Sequence, residues 1–245
     1  KLGAETLAIV NVVGSSIARE ADMVLYTNAG PEISVASTKA YSVQVAAMYL
    51  LAFEIAFAKG AIDEAQCRKY VGELLVIPDY IEKTLNCKAV CQQTAARLMN
   101  ADSLLYIGRG LDYALSMEGS LKLKEISYIH SESYAAGELK HGTISLVTNQ
   151  MPVVAVATQT SLIEKTISNI KEVKARGAMV VLVCSETLDV EESVADCIIR
   201  LPEVDEILMP AVAAIPLQLI AYYTSVLKGC DVDKPRNLAK SVTVE

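Results

Sequence analysis

The sequence predicts an α/β protein built on a parallel sheet with helices on both faces. Short runs rich in Val, Ile and Leu recur along the chain, helical patterns of ten or more residues separate them, and the alternation restarts near residue 103 after a long helical connector. Strands apolar on both sides and joined by helices imply right-handed crossovers and a sheet buried from above and below.

In chain order, residues 6–13 (TLAIVNVV) read as a strand, followed by a short helix opening at Gly14, Ser15 and Ser16. Residues 23–27 (MVLYT) form a second strand, and a loop through Gly30, Pro31 and Glu32 leads to a long apolar helix over about 37–57. Residues 63 to about 100 are helical with an interruption around Pro78, and connect two units. Residues 103–107 are a strand ending in Gly108-Arg109-Gly110, with a helix through about 128. Strands at 152–157, 179–184 and 197–201 follow, with a helix over 161–176 between the first two and a last helix ending near 228.

Composition narrows the functional class. With 245 residues, 52% of them hydrophobic, the chain should bury roughly 70–75% of its unfolded surface. A charged fraction of 21% is too apolar for a disordered protein. A net charge of −7 argues against nucleic acid as a partner, but leaves an anionic substrate open, since a few local groups can bind phosphate. Residues 42–58 and 207–223 are apolar, yet Glu54 interrupts the first and Pro210, Pro216 and Gln218 the second. Each falls short of the roughly 20 apolar residues of a bilayer span. They read as helices buried in a core or at a subunit contact, with no membrane.

The six cysteines (Cys67, Cys87, Cys91, Cys184, Cys197, Cys230) lie in apolar periodic segments and read as reduced thiols of a cytoplasmic protein. Cys87 and Cys91 are spaced i,i+4, but there is no Cys-x-x-Cys pair and only His130 and His141 could assist a metal, so no metal site is expected.

In open parallel sheets ligands bind beyond the carboxyl ends of the strands, which points to the segments after residues 27, 107, 157 and 184. Gly108-Arg109-Gly110 resembles a phosphate-loop turn, but Tyr113 stands where a dinucleotide fingerprint needs its third glycine. On the next helix Glu118, Lys122 and Glu125 share one face. A solvated stripe is the commonplace reading of that spacing. The alternative is a carboxylate base tuned by an ammonium, suited to proton abstraction beside a carbonyl. His141, bracketed by Gly137 and Gly142, could reach a substrate and titrate near neutrality. Lys240, in the polar tail DVDKPRNLAKSVTVE, is by default a solvated charge; packed against a site, its amine could attack a carbonyl as a Schiff-base nucleophile.

Three segments, GPEISVASTKAY (30–41), EGSLKLKEISYIHSESYAAGELKHGT (118–143) and DVDKPRNLAKSVTVE (231–245), closely resemble the isomerase half of the glutamine–fructose-6-phosphate aminotransferase family. The resemblance covers the chain from end to end. It implies sugar isomerase (SIS) domains, each a three-layer αβα sandwich of flavodoxin-like type: part of a first one over 1–64, a second with connector helices over 65–228, and a catalytic tail over 229–245. It also implies roles: Lys240 as the Schiff-base or ring-opening lysine, Glu125 as the base between C1 and C2 of fructose 6-phosphate, His141 as a ring-opening histidine donated across a dimer, Lys122 beside the base, and Val35, Ser37 and Ala239 lining the sugar. The product would be glucosamine 6-phosphate, with no cofactor, a homodimer as the assembly, and a glutaminase domain supplying ammonia. The family's N-terminal nucleophilic Cys and its phosphate-holding loops of the Ser-Gln-Ser-Gly-Glu-Thr type do not occur here. The chain is therefore expected to be a C-terminal piece, inactive by itself. Two other readings compete: a SIS-type sugar-phosphate isomerase or deglycase, and a non-catalytic module binding a hexosamine phosphate. Neither explains the synthase-like tail together with Lys240, Glu125 and His141.

Overall fold

A computed structural model describes residues 3–240. Residues 241–245, the end of the expected tail, lie outside the described residues. The chain divides into two compact units, Lys1–Leu75 and Val76–Glu245.

In the first unit β1 (Leu7–Val10) and β2 (Met23–Tyr26) pair in parallel, Leu7 opposite Met23 and Val10 opposite Tyr26. Between them α1 (Ser16–Glu20) starts at Ser15, whose hydroxyl accepts the Ala18 N–H at 3.4 Å. β1 is shorter than the run 6–13. At Asn11 the side chain takes over from the ladder, its amide donating to the Gly30 carbonyl and its oxygen accepting the Ala29 N–H, both at 2.8 Å. The long α2 (Lys39–Ala58) packs on α3 (Glu64–Leu75), with the Phe53 and Tyr70 rings stacked at 5.1 Å. That contact carries the first unit past residue 64, the boundary read from the sequence.

Of the two expectations for 42–58, a core or a subunit contact, burial in the core of this unit is not what the structure shows. Of the residues of α2, Ala47 and Phe53 are buried, whereas Met48, Leu50, Ile55 and Phe57 are exposed. Apolar residues lie on every side of this helix, and α3 packs along it. By length and composition alone, α2 and the helix Met209–Leu227 of the second unit could each cross a membrane; the latter is mostly buried inside its own unit.

The second unit begins with α4 (Ile77–Thr84), where Pro78 sits in the first turn and its missing N–H costs nothing. A 3-10 turn (Leu85–Cys87) and α5 (Lys88–Leu98) follow, so the expected connector is three helices in succession. The sheet has five parallel strands in the order β4-β3-β5-β6-β7: β3 (Ser103–Gly108), β4 (His130–Ala135), β5 (Val153–Ala157), β6 (Val180–Ser185) and β7 (Cys197–Leu201). With α6 (Leu111–Ser127), α7 (Ile163–Lys174) and α8 (Met209–Leu227), this is the expected α/β sandwich with flavodoxin-like strand order. β4 is an addition to the strands read from the sequence. Its HSESYA run is polar and pairs with β3 alone, as an edge strand can.

Alternation of side chains sorts the core into two layers. Leu105, Ile107, Val153, Ala155, Val180 and Leu182 pack with Ile170 and Val173 of α7 and with Leu139 and Val147. The opposite face, which includes Tyr106, meets α6 and α8. Two glycines permit that packing. A Cβ on Gly108 would stand 2.5 Å from the backbone carbonyl of Asp112, and one on Gly119 2.8 Å from Leu217 and 2.9 Å from Tyr106.

Two alanine substitutions should therefore act in opposite directions. Gly108→Ala collides with backbone and should cost about 3 kcal/mol or more. Gly72→Ala, in α3 with nothing within 4 Å, should stabilise by about 0.5–1 kcal/mol. Urea unfolding of both variants checks the pair, and equal effects would contradict the packing described.

Candidate active site

The scaffold of the site is α6, and its first turn is fixed by a buried carboxylate. Asp112 accepts the Thr158 N–H at 2.7 Å, the Thr158 hydroxyl at 2.5 Å and the Gln159 N–H at 3.2 Å. Burial raises its pKa, with the three donors pulling the other way. The interaction ties α6 to the end of β5 at the switch point between β3 and β5, where chain order reverses. In the same crevice the Arg109 guanidinium donates to Asn169 Oδ1 at 3.1 and 2.8 Å. At the carboxyl ends of β3 and β5, Asp112 and Arg109 are thus engaged in hydrogen bonds within the chain.

The charged stripe read from the sequence lies at the other end of the helix. α6 returns from the carboxyl end of β3 to the start of β4, so its last turns stand toward the amino ends of the strands. There Lys122, only 4% exposed, donates through Nζ to Glu125 Oε2 at 2.7 Å. Glu118 Oε1 lies 3.5 Å from the same ammonium, buried and without a hydrogen bond. Burial raises the Glu118 pKa, against the pull of Lys122, and the negative Glu125 adds to the rise. One ammonium therefore serves two carboxylates unequally. Glu125, half-buried, is directed by a short ion pair, while its second oxygen is not engaged by that bond.

The helix ends at Tyr128, which takes the left-handed conformation (φ 62°). Its hydroxyl accepts the backbone N–H of Arg236 at 2.8 Å, and the Arg236 guanidinium lies 4.2 Å from the centre of its ring. The tail is shaped upstream by Asp231, whose carboxylate accepts the N–H groups of Asp233 and Lys234, both at 2.9 Å, and by the buried Pro235. The chain of Lys240 and Ala239 is thus docked, four residues earlier, on the helix end that carries Glu125 and Lys122. Both tail residues are exposed.

His141 is exposed at the end of a 3-10 segment (Ala136–His141) that follows β4. Among the described residues no hydrogen bond or ion pair joins it to Lys122 or Glu125. Val35 and Ser37 belong to the first unit, half-buried in the segment ahead of α2. Sequence reasoning did not single out Asp112, Tyr128 or Arg236. Tyr128 and Arg236 are 108 positions apart, and no spacing rule connects them.

The SIS domain family matches residues 1–53 and 97–228. The glutamine–fructose-6-phosphate aminotransferase (isomerizing) of Caldanaerobacter subterraneus subsp. tengcongensis is 56% identical over 99% of this chain, and that of Clostridium acetobutylicum 52% over all of it. The chain spans about 40% of the length of each of these relatives. Among solved structures, the C-terminal domain of glucosamine-fructose-6-phosphate aminotransferase from Francisella tularensis superposes with a TM-score of 0.88 at 39% identity, over 94% of this chain and 65% of that one. A glucosamine-6-phosphate deaminase from Thermotoga maritima (TM-score 0.73, 21% identity, 97% of this chain and 66% of that one) shares the fold.

Two predictions follow from the geometry. The folded chain holds the Glu118 proton more tightly than the unfolded chain, so this group makes stability fall as pH rises from about 4.5 through the raised value. Glu118→Gln has no such proton to release, and its stability relative to the parent should climb across that window in urea titrations. Parallel pH profiles would refute the assignment. For the tail, Tyr128→Phe deletes one hydrogen bond worth about 1 kcal/mol, so amide exchange at Arg236 should quicken roughly fivefold. Unchanged exchange would mean that the tail is held elsewhere.

Proposed function

The chain belongs to the SIS domain family, and from that premise we propose that it carries the condensation and proton-transfer chemistry of a glutamine–fructose-6-phosphate aminotransferase. The observation that carries the proposal is the buried Lys122–Glu125 ion pair in the last turns of α6, on the helix end where Tyr128 holds the tail of Lys240. In this reading the Lys240 amine adds to the C2 carbonyl of open-chain fructose 6-phosphate and loses water to give an imine. Ammonia, released from glutamine by a glutaminase domain, displaces the lysine. Glu125 then takes a proton from C1 and returns it to C2, giving glucosamine 6-phosphate. Lys122 orients Glu125 through the short ion pair. His141 assists ring opening across a homodimer, and Val35, Ser37 and Ala239 contact the sugar. The setting is cytoplasmic, in keeping with six free thiols.

Phosphate binding energy in such a reaction offsets the cost of orienting the reacting end. No Ser-Gln-Ser-Gly-Glu-Thr loop occurs in the sequence, so the chain by itself should turn fructose 6-phosphate over far more slowly than a polypeptide extended upstream to include such loops. In that longer polypeptide borohydride should fix the sugar to the peptide containing Lys240. Lys240→Arg should abolish trapping. Glu125→Gln should leave trapping intact and slow C1–C2 proton transfer by about 10²–10⁴-fold. Sugar on Lys122 instead, or parental proton transfer in Glu125→Gln, would overturn the roles.

A further inference from the structure

Two cysteines stand together, away from the residues of that chemistry. Cys87 closes the 3-10 turn after α4 and is the capping residue of α5, so its sulfur sits at the amino end of an 11-residue helix. One turn on, the Cys91 sulfur lies 3.5 Å away. The two thiols differ in access. Cys91 is fully buried, its sulfur 3.9 Å from the Pro216 carbonyl of α8. Cys87 is half-buried and lines an open cleft of about 610 Å³, together with Lys83, Arg200, Tyr80, Asn86 and Glu203.

We propose that Cys87 and Cys91 form a peroxide-reactive dithiol site, with Cys87 as the thiol that meets the oxidant from the cleft and Cys91 as the thiol that resolves it. The Cys87 thiolate attacks one oxygen of hydrogen peroxide. An S–O bond forms, the O–O bond breaks, and the departing hydroxide takes up a proton to become water. The sulfur, now a sulfenic acid, has lost two electrons to the peroxide. Cys91 then attacks that sulfur. An S–S bond forms, the S–O bond breaks, and the hydroxide leaves with the Cys91 proton as a second water.

Three features of the site favour this order. The hydrogen bond from Cys91 is the largest influence on the Cys87 thiol and lowers its pKa, and Lys88 adds to it. The same bond and burial push the Cys91 thiol up, which keeps it protonated until its partner is oxidised. Cys87 opens on the cleft while Cys91 is fully buried, so the oxidant meets Cys87 first. Closure to a disulfide of about 2.05 Å requires the sulfurs to approach by roughly 1.5 Å, and since Cβ atoms one helical turn apart stand about 5–6 Å from each other against the 3.5–4.5 Å of a disulfide, the backbone at Cys87 has to shift. The short 3-10 turn before Cys87 is the element that can give.

The test is peptide mass spectrometry on the whole chain after brief exposure to dilute hydrogen peroxide. Trypsin cuts after Lys83, Lys88 and Arg97, so a Cys87–Cys91 disulfide joins the peptides 84–88 and 89–97 into one species that dithiothreitol separates. That species should form before the half-buried Cys67, Cys197 and Cys230 are oxidised. In the reduced chain N-ethylmaleimide should label Cys87 at least about tenfold faster than Cys91. In Cys91→Ser, which has no resolving thiol, Cys87 should go on to the sulfinic acid and gain two oxygens. The proposal is overturned if the linked peptides do not form in the parent chain, if Cys87 reaches the sulfinic acid there with Cys91 still free, or if the other cysteines react first. Because the readout is a mass on the intact chain, the result is independent of whether the sugar chemistry assigned above is correct.

Discussion

The second unit depends on one buried carboxylate. Asp112 stands in the first turn of α6 with three donors from Thr158 and Gln159 on its oxygens. A carboxylate taken out of water is costly unless its lone pairs are filled, and removing it would leave two buried backbone N–H groups without partners. This fixes the amino end of α6 against the end of β5, while Gly108, with no side chain to intrude, lets the helix begin directly on β3. Once that end is set, rigid helical geometry places everything downstream. Lys122 and Glu125 follow about three turns later, and Tyr128 marks the stop.

The far end of the helix divides one positive charge between two acids. Glu125 takes the short bond at 2.7 Å and Glu118 the long one at 3.5 Å. Were both carboxylates equally close, their mutual repulsion and shared burial would leave neither a defined base. The asymmetry lets Glu118 hold a proton more readily while Glu125 stays committed to the ammonium. The difference in environment, rather than in residue type, separates their roles.

Much of this was legible in the sequence, for reasons that differ by element. β5 and β6 are visible because strands buried on both faces are apolar along their length, and β3 and the edge strand β7 because each still carries an apolar run, residues 104–107 and 197–199. The charged stripe on α6 is visible because helical spacing turns sequence distance directly into proximity. β4 escaped because an edge strand needs no apolar run, and HSESYA carries none. The carboxyl-end rule pointed to strand ends where Asp112 and Arg109 bind neighbouring groups of the chain, because the rule speaks of strand ends and not of what neighbouring loops place there. The Tyr128–Arg236 contact and the extension of the first unit through α3 depend on which surfaces meet in three dimensions. Local patterns do not encode that.

The tail anchor also limits where the proposed nucleophile can act. Lys240 is four residues on from Arg236, and an extended chain covers at most about 3.3–3.6 Å per residue, so the Lys240 Cα lies within roughly 14 Å of the anchor. The anchor itself sits on the residue that caps α6, one turn beyond Glu125. A tail held only at α8 would let its lysine sweep a volume many times larger, and the orientation of imine to base would have to be found anew at each turnover. Holding the backbone of Arg236 with the Tyr128 hydroxyl, and its guanidinium with the ring, uses a single side chain to constrain both position and direction of the segment. The entropy of ordering is then lost on folding rather than in the reaction, which is how proximity lowers a barrier. Under the proposed roles, condensation and proton transfer share a frame, because the segment leading to Lys240 is anchored on the residue that ends the helix of Glu125.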